Sequence, residues 1–591
     1  MGQAIRVAQV GIAPTIASPA SLTVTTSVVG SVTYGYEVAF GDTNGGVAPV
    51  SAAYTITNGP ATLHGGGGVP RQYNTIIWPS NPSGVAYALV YRSQAGGAYQ
   101  LIDIVNLQGT SYNQYQDFGK PAIDPASLPP GLPSAPSASP VLPDLFSTIA
   151  AASGSTLTLA GAPASSVAAA SVFHDDTNAI QAAIDSMSAA GGSIFIPAGQ
   201  FNINACHLAT GGWRSGLQLF GKNNLTIAGQ GAGSILNFES CRSGGLQRSD
   251  TIALAMTPYV AGAFTFLQSN YPELPAYGIA PAALSSNSLS FNKAPDASHF
   301  NVGDYIFVRT GNFDSGTTLT PDSELNQVTG IDLVNGTLSL RWPTEKAYQA
   351  QCFASGNDGI ATTDCSGGKT PAILGVADAN AYTTNSIDIH DLTIRGDYEV
   401  TAVDGVAQVD GLTITNSWID TGNANIAGAR NTEVSGTTIV DSDGTGDGIA
   451  ASGASEVNFH NNTVSAPWAL VIQANEGASS ITVDSNTFTT PANGTLPSYN
   501  QVISFRGGCH NVTVSNNNFI GSNGDAPLRF DYFQPSGANA FIGCERTWVY
   551  GNTFQASTLP DGAVTAIMEA MNPDAVVNSN IFSAPFTSPI F

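Results

Sequence analysis

Carboxylates in the second half of the chain follow short apolar segments at a regular spacing. The acids that could act together are Asp397, Glu399, Asp420, Asp441, Asp443 and Asp447. If the preceding segments stack, these carboxylates lie about 5–10 Å apart, and like charges at that distance raise one another's pKa. A pair of carboxylates with different pKa values suits general acid/base cleavage of a glycosidic bond. All but Asp397 are candidate catalytic residues; the alternative is solvated turn residues or a cation site.

A second group, nearer the C-terminal end, combines arginines with carboxylates. Its members are Arg506, Asp525, Arg529, Asp531 and Glu545, and Tyr532 and Phe533 lie beside them. Arginine pairs with carboxylates, so the group could bind an acidic sugar or serve a lyase in which a base removes the proton beside a neutralised uronate. Because no clear Lys or Arg base and no calcium-binding set accompany the group, hydrolase chemistry is favoured over lyase chemistry. The alternative is surface ion pairing.

Aromatic side chains close to both groups could form flat platforms for sugar rings, although core packing is the common fate of a single Trp. The predicted substrate-binding residues are Asp397, Trp418, Trp468, Arg506, Arg529, Asp531 and Tyr532. Tyr398 is a further candidate platform. The six cysteines show no zinc-ligand spacing and the histidines are scattered singly. We therefore predict neither a metal site nor a cofactor.

A repeat of the form apolar-x-x-N-x-apolar recurs through the part of the chain that contains both groups of candidate residues. Its copies begin at Phe459, Val483, Val514, Val549 and Val577, with degenerate copies at Ile389, Ile414 and Val434. Successive starts are 20 to 35 residues apart, which indicates solenoid coils that are each too small to bury their own apolar face. The recurring Asn suits a ladder of side-chain amides spaced about 4.8 Å apart, and it also tolerates the left-handed backbone of a tight turn. These asparagines are predicted to be structural.

Two pairs of cysteines have spacings that could bring them together. Cys509 and Cys544 each lie five residues before a repeat start, so they are predicted to stack in neighbouring coils as a buried thiol pair or a disulfide. Cys352 and Cys365 bracket a loop rich in Gly and Asp, and they form either a disulfide or two free thiols. We expect a structural role for the first pair.

The segment FHDDTNAIQAAIDSMSAAGGSIFIPAGQFNI, residues 173–203, predicts a short amphipathic helix followed directly by a strand. Asp176 or Thr177 can cap the helix, and Gly191 and Gly192 end it. Such a helix could cover the open end of a solenoid. The pattern closely resembles the start of pectate-lyase-like right-handed parallel β-helices, a group that includes polygalacturonases and phage tailspikes. The resemblance implies that fold; DSDGTGDGI, residues 441–449, resembles the Asp-rich rungs of polygalacturonases, whose Gly-His-Gly and Arg-Ile-Lys motifs are absent.

The resulting fold class is all-β, a parallel β-helix preceded by a β-sandwich. Short alternating strands in residues 1–123 predict the sandwich, and W-P-x-x-P-x-G-x-x-Y-x-L-V-Y-R-S resembles fibronectin-III-like and immunoglobulin-like modules. Residues 124–170, rich in Pro, Ser and Ala, predict a linker. The β-helix is assigned to residues 171–591, with a β-rich insertion at about 245–385 and a hairpin turn at VNGT, residues 334–337.

Composition narrows the choice of partners. With 18 Lys and Arg against 42 Asp and Glu, the net charge is −24, which disfavours nucleic acid and anionic membranes. The first residues show no basic region followed by an apolar one, and no apolar run is long enough to cross a bilayer. This favours a protein released with a virus particle; a bacterial extracellular enzyme whose signal has been removed is the alternative.

Three functions remain open. The favoured one is a phage tailspike-like virion protein that binds and degrades host capsule, exopolysaccharide or O-antigen, with the sandwich attached to other phage structural proteins. Because tailspikes of this kind are usually homotrimers, the resemblance implies three chains. The alternatives are a secreted polysaccharide hydrolase or lyase and a non-catalytic receptor-binding or decoration fibre.

Overall fold

The structure is a computed structural model of the whole chain. It describes residues 4–7, 11, 13–42, 46–63, 72–107, 113–120, 122–123, 125, 132–143, 145–154, 156–164, 170, 172–188, 190–204, 208–210, 213–219, 221–239, 251–255, 276–309, 323–345, 347–348, 372–375, 384–396, 401–404, 409–420, 424–425, 429–440, 449–450, 454–465, 472–475, 478–489, 502–506, 509–520, 527–531, 544–555, 567–569 and 574–583.

Three sheets, each of ten strands within the described residues, run along most of the chain. Sheet 1 consists of Gly192–Phe195, Asn223–Ala228, Thr384–His390, Val409–Thr415, Arg430–Ser435, Ser455–His460, Ser479–Asp484, His510–Ser515, Glu545–Tyr550 and Val576–Asn578. Sheet 2 consists of Gly199–Asn204, Ser234–Glu239, Thr393–Gly396, Trp418–Asp420, Thr438–Val440, Thr463–Ser465, Thr487–Thr489, Asn518–Ile520, Thr553–Gln555 and Ile581–Phe582. Sheet 3 consists of Leu208–Thr210, Trp213–Gln218, Thr251–Ala255, Thr401–Asp404, Ala424–Asn425, Ile449–Ala450, Ile472–Asn475, Ile503–Arg506, Leu528–Asp531 and Ile567–Glu569.

The chain visits the three sheets in turn, and each strand pairs in parallel with the equivalent strand of the next coil. The first pair of sheet 3, Leu208–Thr210 with Trp213–Gln218, is antiparallel. Inside the coils, equivalent apolar side chains form continuous columns, such as the stacked rings of Phe488, Phe519 and Phe554, whose centroids are 5.1 and 4.7 Å apart. The predicted parallel β-helix is confirmed.

The predicted asparagine ladder lies at the bend between sheets 1 and 2. Asn486 Nδ2 donates to Asn517 Oδ1 at 2.9 Å, and the same bond links Asn517 to Asn552 and Asn552 to Asn580 at 3.0 Å. The left-handed backbone, however, belongs to the residue before each ladder position, for example Asn461 at φ 56° and Asn516 at φ 54°. The ladder asparagines therefore serve the stack through their amides.

The helix Thr177–Ser186 begins after Asp176 and covers the first coil. Ile184 is fully buried in the β-helix core, and Ile180, Ala183 and Met187 pack against that core. The predicted strand follows as Gly192–Phe195, but the helix ends at Ser186, before the predicted stop at Gly191 and Gly192, and Gly192 begins the strand instead. The helix thus shields apolar side chains that would otherwise face solvent at the open end.

The insertion forms its own antiparallel sheet. In spatial order its strands are Ala276–Gly278, Ala372–Gly375, Tyr305–Arg309, Ser323–Asp332, Thr337–Leu340 and Ser288–Ser290, with the 3-10 helix Ala294–His299. The predicted hairpin turn lies between the fourth and fifth of these strands, and Gly336 has φ 65° there. The insertion starts later than predicted, because Thr251–Ala255 still belongs to sheet 3.

Buried polar contacts hold the insertion against the coils. Arg430, which is 1% exposed, donates to the carbonyl of Leu325 at 3.1 Å and pairs with Glu345 at 2.8 Å and with Glu456 at 2.6 Å. Its guanidinium also lies over the Trp342 ring, 4.4 Å from the centroid. A single buried cation therefore joins the inserted sheet to two coils.

The N-terminal sandwich comprises two antiparallel sheets around one core. One sheet has Thr23–Thr26, Asn74–Ile77 and Gln114–Asp117, and the other has Tyr54–Gly59, Val32–Asp42, Val85–Gln94 and Gln100–Asn106. Trp78 is fully buried between them and packs edge-on against Phe40, with ring centroids 6.2 Å apart. The tryptophan of the quoted motif is thus a core residue.

The predicted linker differs from the structure in its second half. Leu145–Ser153 and Thr156–Leu159 form a hairpin, and the first of these strands pairs with Ala4–Val7, which also pairs with Val172–His174. Leu145, Ile149 and Leu159 pack against Ile5 and Val7. The partner strand lies about 140 residues away in sequence, so composition alone could not identify these strands.

Candidate functional site

Trp418 and Asp420 lie together on the outer face of sheet 2. They alternate along the strand Trp418–Asp420 with Ile419, whose side chain enters the core. The Trp418 side chain is 41% exposed. Its neighbours in the column are Thr393 and Thr438. The exposed ring is a flat apolar platform with the partly exposed Thr438 on one side, whereas Thr393 on the other side is buried and donates its hydroxyl to the Ala232 carbonyl.

The Asp420 carboxylate is paired with a cation from the preceding coil. Arg395 occupies the equivalent strand position, and its Nε lies 3.5 Å from Asp420 Oδ2. The column continues through Asn237, whose Nδ2 donates to Asn202 Oδ1 at 3.1 Å. The arrangement combines an aromatic platform with donors and acceptors, which is the composition that a neutral or charged sugar requires.

The residue stacked on Asp420 in the following coil is Val440. Asp441 comes one position later and lies outside the described residues, as do Asp397, Glu399, Asp443 and Asp447. Trp468 and Tyr532 also lie outside them. The predicted stack of acids therefore stays a prediction, and within the described residues Asp420 is adjacent to a guanidinium and an aliphatic side chain.

The arginine group maps onto sheet 3. The backbones of Arg506 and Asp531 are neighbours in adjacent coils, as are those of Ser504 and Arg529. Arg529 alternates with the buried residues Leu528 and Phe530, so its side chain points out of the coil. Glu545, by contrast, begins a strand of sheet 1, where its Oε2 lies 3.5 Å from His510 Nδ1. The group predicted as one constellation is thus divided between two sheets.

The outer face of sheet 1 carries titratable residues that sequence reasoning missed. His460 Nε2 lies 3.3 Å from Glu433 Oε1, and the Asn461 side-chain amide lies 2.8 Å from His460 Nδ1. If that amide donates to Nδ1, the ring proton resides on Nε2 and faces Glu433. Asp484 follows His460 in the same column. Three successive coils therefore place His460 and Asp484 in one column and Glu433 in the adjacent column, within contact of the imidazole.

Hydrogen bonds fix the Asp484 carboxylate. Its donors are Ser515 Oγ at 2.5 Å, Ser485 Oγ at 2.8 Å and Asn516 Nδ2 at 2.9 Å. Burial raises the pKa of Asp484, but these bonds and the nearby His460 outweigh it, and the net pKa is lowered. Asp484 is therefore a fixed negative charge at neutral pH.

Two exposed aromatic residues extend the same columns. Trp548 follows Thr513, and Tyr550 follows Ser515. Their side chains are 37% and 40% exposed. We call Glu433, His460, Asp484, Ser515, Trp548 and Tyr550 the sheet 1 outer strip. Several of these residues could have been predicted from the repeat, because the residue directly after each apolar repeat start faces outward. His460 follows Phe459 in this way, and Tyr550 follows Val549.

Among the described residues, no group of three or more His, Cys, Asp or Glu side chains is arranged to hold a metal ion. Across the same part of the chain, no helix combines the length and apolarity needed to cross a bilayer.

No family model matches the sequence, and no curated protein matches it. Similar solved structures include the tailspike of Pseudomonas phage phi297, at 13% identity and TM-score 0.31, covering 69% of this chain and 68% of that one. The tailspike of Acinetobacter baumannii phage AP22, solved with a capsular saccharide, has 9% identity and TM-score 0.36, covering 67% and 57%. A variant tailspike of E. coli phage HK620, solved with a pentasaccharide, has 12% identity and TM-score 0.34, covering 71% and 60%. The parallel β-helix is established independently by the strand register.

Proposed function

We propose that this chain is a tailspike-like virion protein that binds host surface polysaccharide along its β-helix and cleaves it beside Trp418. The observation that carries the proposal is the exposed Trp418 ring, which lies on the same strand face as the ion pair between Arg395 Nε and Asp420 Oδ2, 3.5 Å apart. A sugar ring stacked on Trp418 would have a carboxylate and a guanidinium within reach of its substituents.

The catalytic part of the proposal assigns acid/base work to Asp420 together with the predicted acids of the neighbouring turns. Asp420, whose carboxylate lies 3.5 Å from the Arg395 guanidinium, is assigned the role of base or nucleophile. The proton donor would then come from Glu399, Asp441, Asp443 or Asp447. Hydrolysis is favoured because the described part of this face offers a carboxylate and no free base suited to uronate chemistry.

The test is incubation with capsule, exopolysaccharide or lipopolysaccharide preparations, followed by measurement of new reducing ends. We expect Asp420→Asn to lose most cleavage with little loss of binding, and Trp418→Ala to weaken binding. Thr463→Ala, an outward substitution farther along the Trp418 column of sheet 2, serves as the control for folding and should leave both unchanged. Full cleavage by Asp420→Asn would contradict the catalytic assignment.

Two alternatives have distinct readouts. Absorbance from unsaturated uronates would identify a lyase, and specific binding without new ends would identify a non-catalytic fibre. The proposal also includes a homotrimer attached to the particle through the N-terminal sandwich. Sedimentation of the full chain as a stable monomer would contradict that part.

A further inference from the structure

The sheet 1 outer strip lies on a different face from Trp418 and combines features that the proposed function does not use. Trp548 and Tyr550 alternate on one strand with the buried Val549, so both rings project outward, about 7 Å apart at their backbones. Neighbouring positions in the preceding coil carry Thr513 and Ser515. Two exposed rings beside the partly exposed Thr513 form a platform that suits stacking of sugar rings, whereas Ser515 is buried and donates its hydroxyl to Asp484.

The charges along this strip are mostly negative. Asp484 is held ionised by its three donors, and Glu433 accepts a hydrogen bond from Ser435 Oγ at 3.0 Å while contacting His460. Of the six residues that define the strip, His460 is the basic one, and His510 at the start of a neighbouring strand is paired with Glu545. At the start of the Trp548 strand, Arg546 lies beside Glu545, so that pair adds no net charge.

The Asp484 carboxylate lies in the same column of side chains as the Tyr550 ring. Asp484, Ser515 and Tyr550 occupy one column in successive coils, so Asp484 and Tyr550 are about 10 Å apart along the stack. A single oligosaccharide can span that distance. The insertion also borders the outer face of sheet 1. Its Glu345 Oε2 accepts a hydrogen bond at 2.8 Å from Oγ of Ser480, which lies in the same strand as Asp484.

We propose that the sheet 1 outer strip is a second glycan-binding site, and that it takes sugars with a free amino group in preference to uronic acids. Stacking on Trp548 and Tyr550 supplies the affinity for a glycan, and an ammonium group there gains from the faces of the two rings. Ammonium groups on other residues of the same oligosaccharide gain from the Asp484 carboxylate, two coils from Tyr550, and from Glu433, two coils beyond Asp484. A uronate is repelled by the same carboxylates and by the net charge of −24. This site is independent of the cleavage proposed at Asp420.

The test is titration of the full chain, by calorimetry, with three hexasaccharides: fully deacetylated chitosan, N-acetylated chitin and oligogalacturonate. We expect chitosan to bind about tenfold tighter than chitin, and galacturonate to bind weakest. Trp548→Ala should weaken chitosan binding by about tenfold or more, with Tyr550→Ala as a second test of the platform. Asp484→Asn should reduce the preference for chitosan over chitin while leaving chitin binding unchanged.

Phe195→Ala is the matched control, since it removes an exposed aromatic ring from the first strand of sheet 1, outside the strip and outside the Trp418 site, and should leave chitosan binding intact. Thermal melts of each variant establish that the fold is retained. The proposal is overturned if Trp548→Ala binds chitosan like the unchanged protein, or if galacturonate binds more tightly than chitosan. It is also overturned if polylysine binds with the same Trp548 dependence while no hexasaccharide binds, because the strip would then recognise a basic protein.

Discussion

Asn517 Nδ2 donates a hydrogen bond to Asn552 Oδ1 at 3.0 Å across adjacent coils, and both side chains are buried. Asn517 also donates to the carbonyl of Val483 at 2.9 Å and accepts from Asn486. The amide therefore satisfies groups in two other coils at once. Because unsatisfied buried polar groups are costly, this ladder is a main source of order at the bend.

Asn517→Ala should lower the free energy of unfolding by about 2–4 kcal/mol, since it leaves a carbonyl and two amides without partners. Urea unfolding followed by circular dichroism measures the change. Asn458→Ala, an exposed asparagine on the outer face of sheet 1, should change stability by less than about 0.5 kcal/mol. Equal losses in the two variants would contradict a special role for the ladder.

Arg430→Gln should destabilise the attachment of the inserted sheet, because it leaves the buried Glu345 carboxylate without its cation. Breaking a buried pair in this way costs about 3–5 kcal/mol. Limited proteolysis should then cut within the insertion while the coils survive. Arg395→Gln removes the more exposed pair with Asp420 and should cost at most about 1 kcal/mol. Unchanged proteolysis of Arg430→Gln would contradict the clamp.

The Asp484 carboxylate should make stability depend on pH in acid. Its folded-state pKa is lowered, so its ionised form stabilises the fold above the unfolded value of about 4, and this contribution disappears as pH falls through the lowered pKa. The melting temperature of Asp484→Asn should therefore lie below that of the unchanged protein at neutral pH and converge with it in acid. Thr482→Ala should show a difference that does not vary with pH. A constant offset for Asp484→Asn would count against this account.

The disulfide between Cys509 and Cys544 should contribute to stability without serving any reaction. The two residues lie in adjacent coils, with Cα atoms 4.5 Å apart, and both are fully buried, as the predicted stacking required. Ala429, Ala454 and Ala478 occupy the equivalent positions of earlier coils, so the double change to alanine fits the column. We expect it to cost about 2–4 kcal/mol and to leave glycan binding unchanged. An altered binding constant would show a functional role.

The sequence determined the coil architecture, because the information it requires is local. Within one coil, the apolar position and the Asn three residues later fix which side chain enters the core and which amide joins the ladder, as at Phe459 and Asn462. The capping helix was likewise predictable from its own apolar stripe. These features depend on spacing within about ten residues, so they survive any length of intervening turn.

Only the tertiary structure decided which side chains meet across coils. Asp484 and its donor Ser515 are 31 residues apart, and Arg430 meets the carbonyl of Leu325 across 105 residues. Because the turns between strands differ in length, counting along the chain leaves an error of a residue or two, and a shift of one residue reverses the face. Register therefore set Arg395 and Val440 beside Asp420, and it assembled the outer strip of sheet 1 from residues that are unremarkable in the sequence.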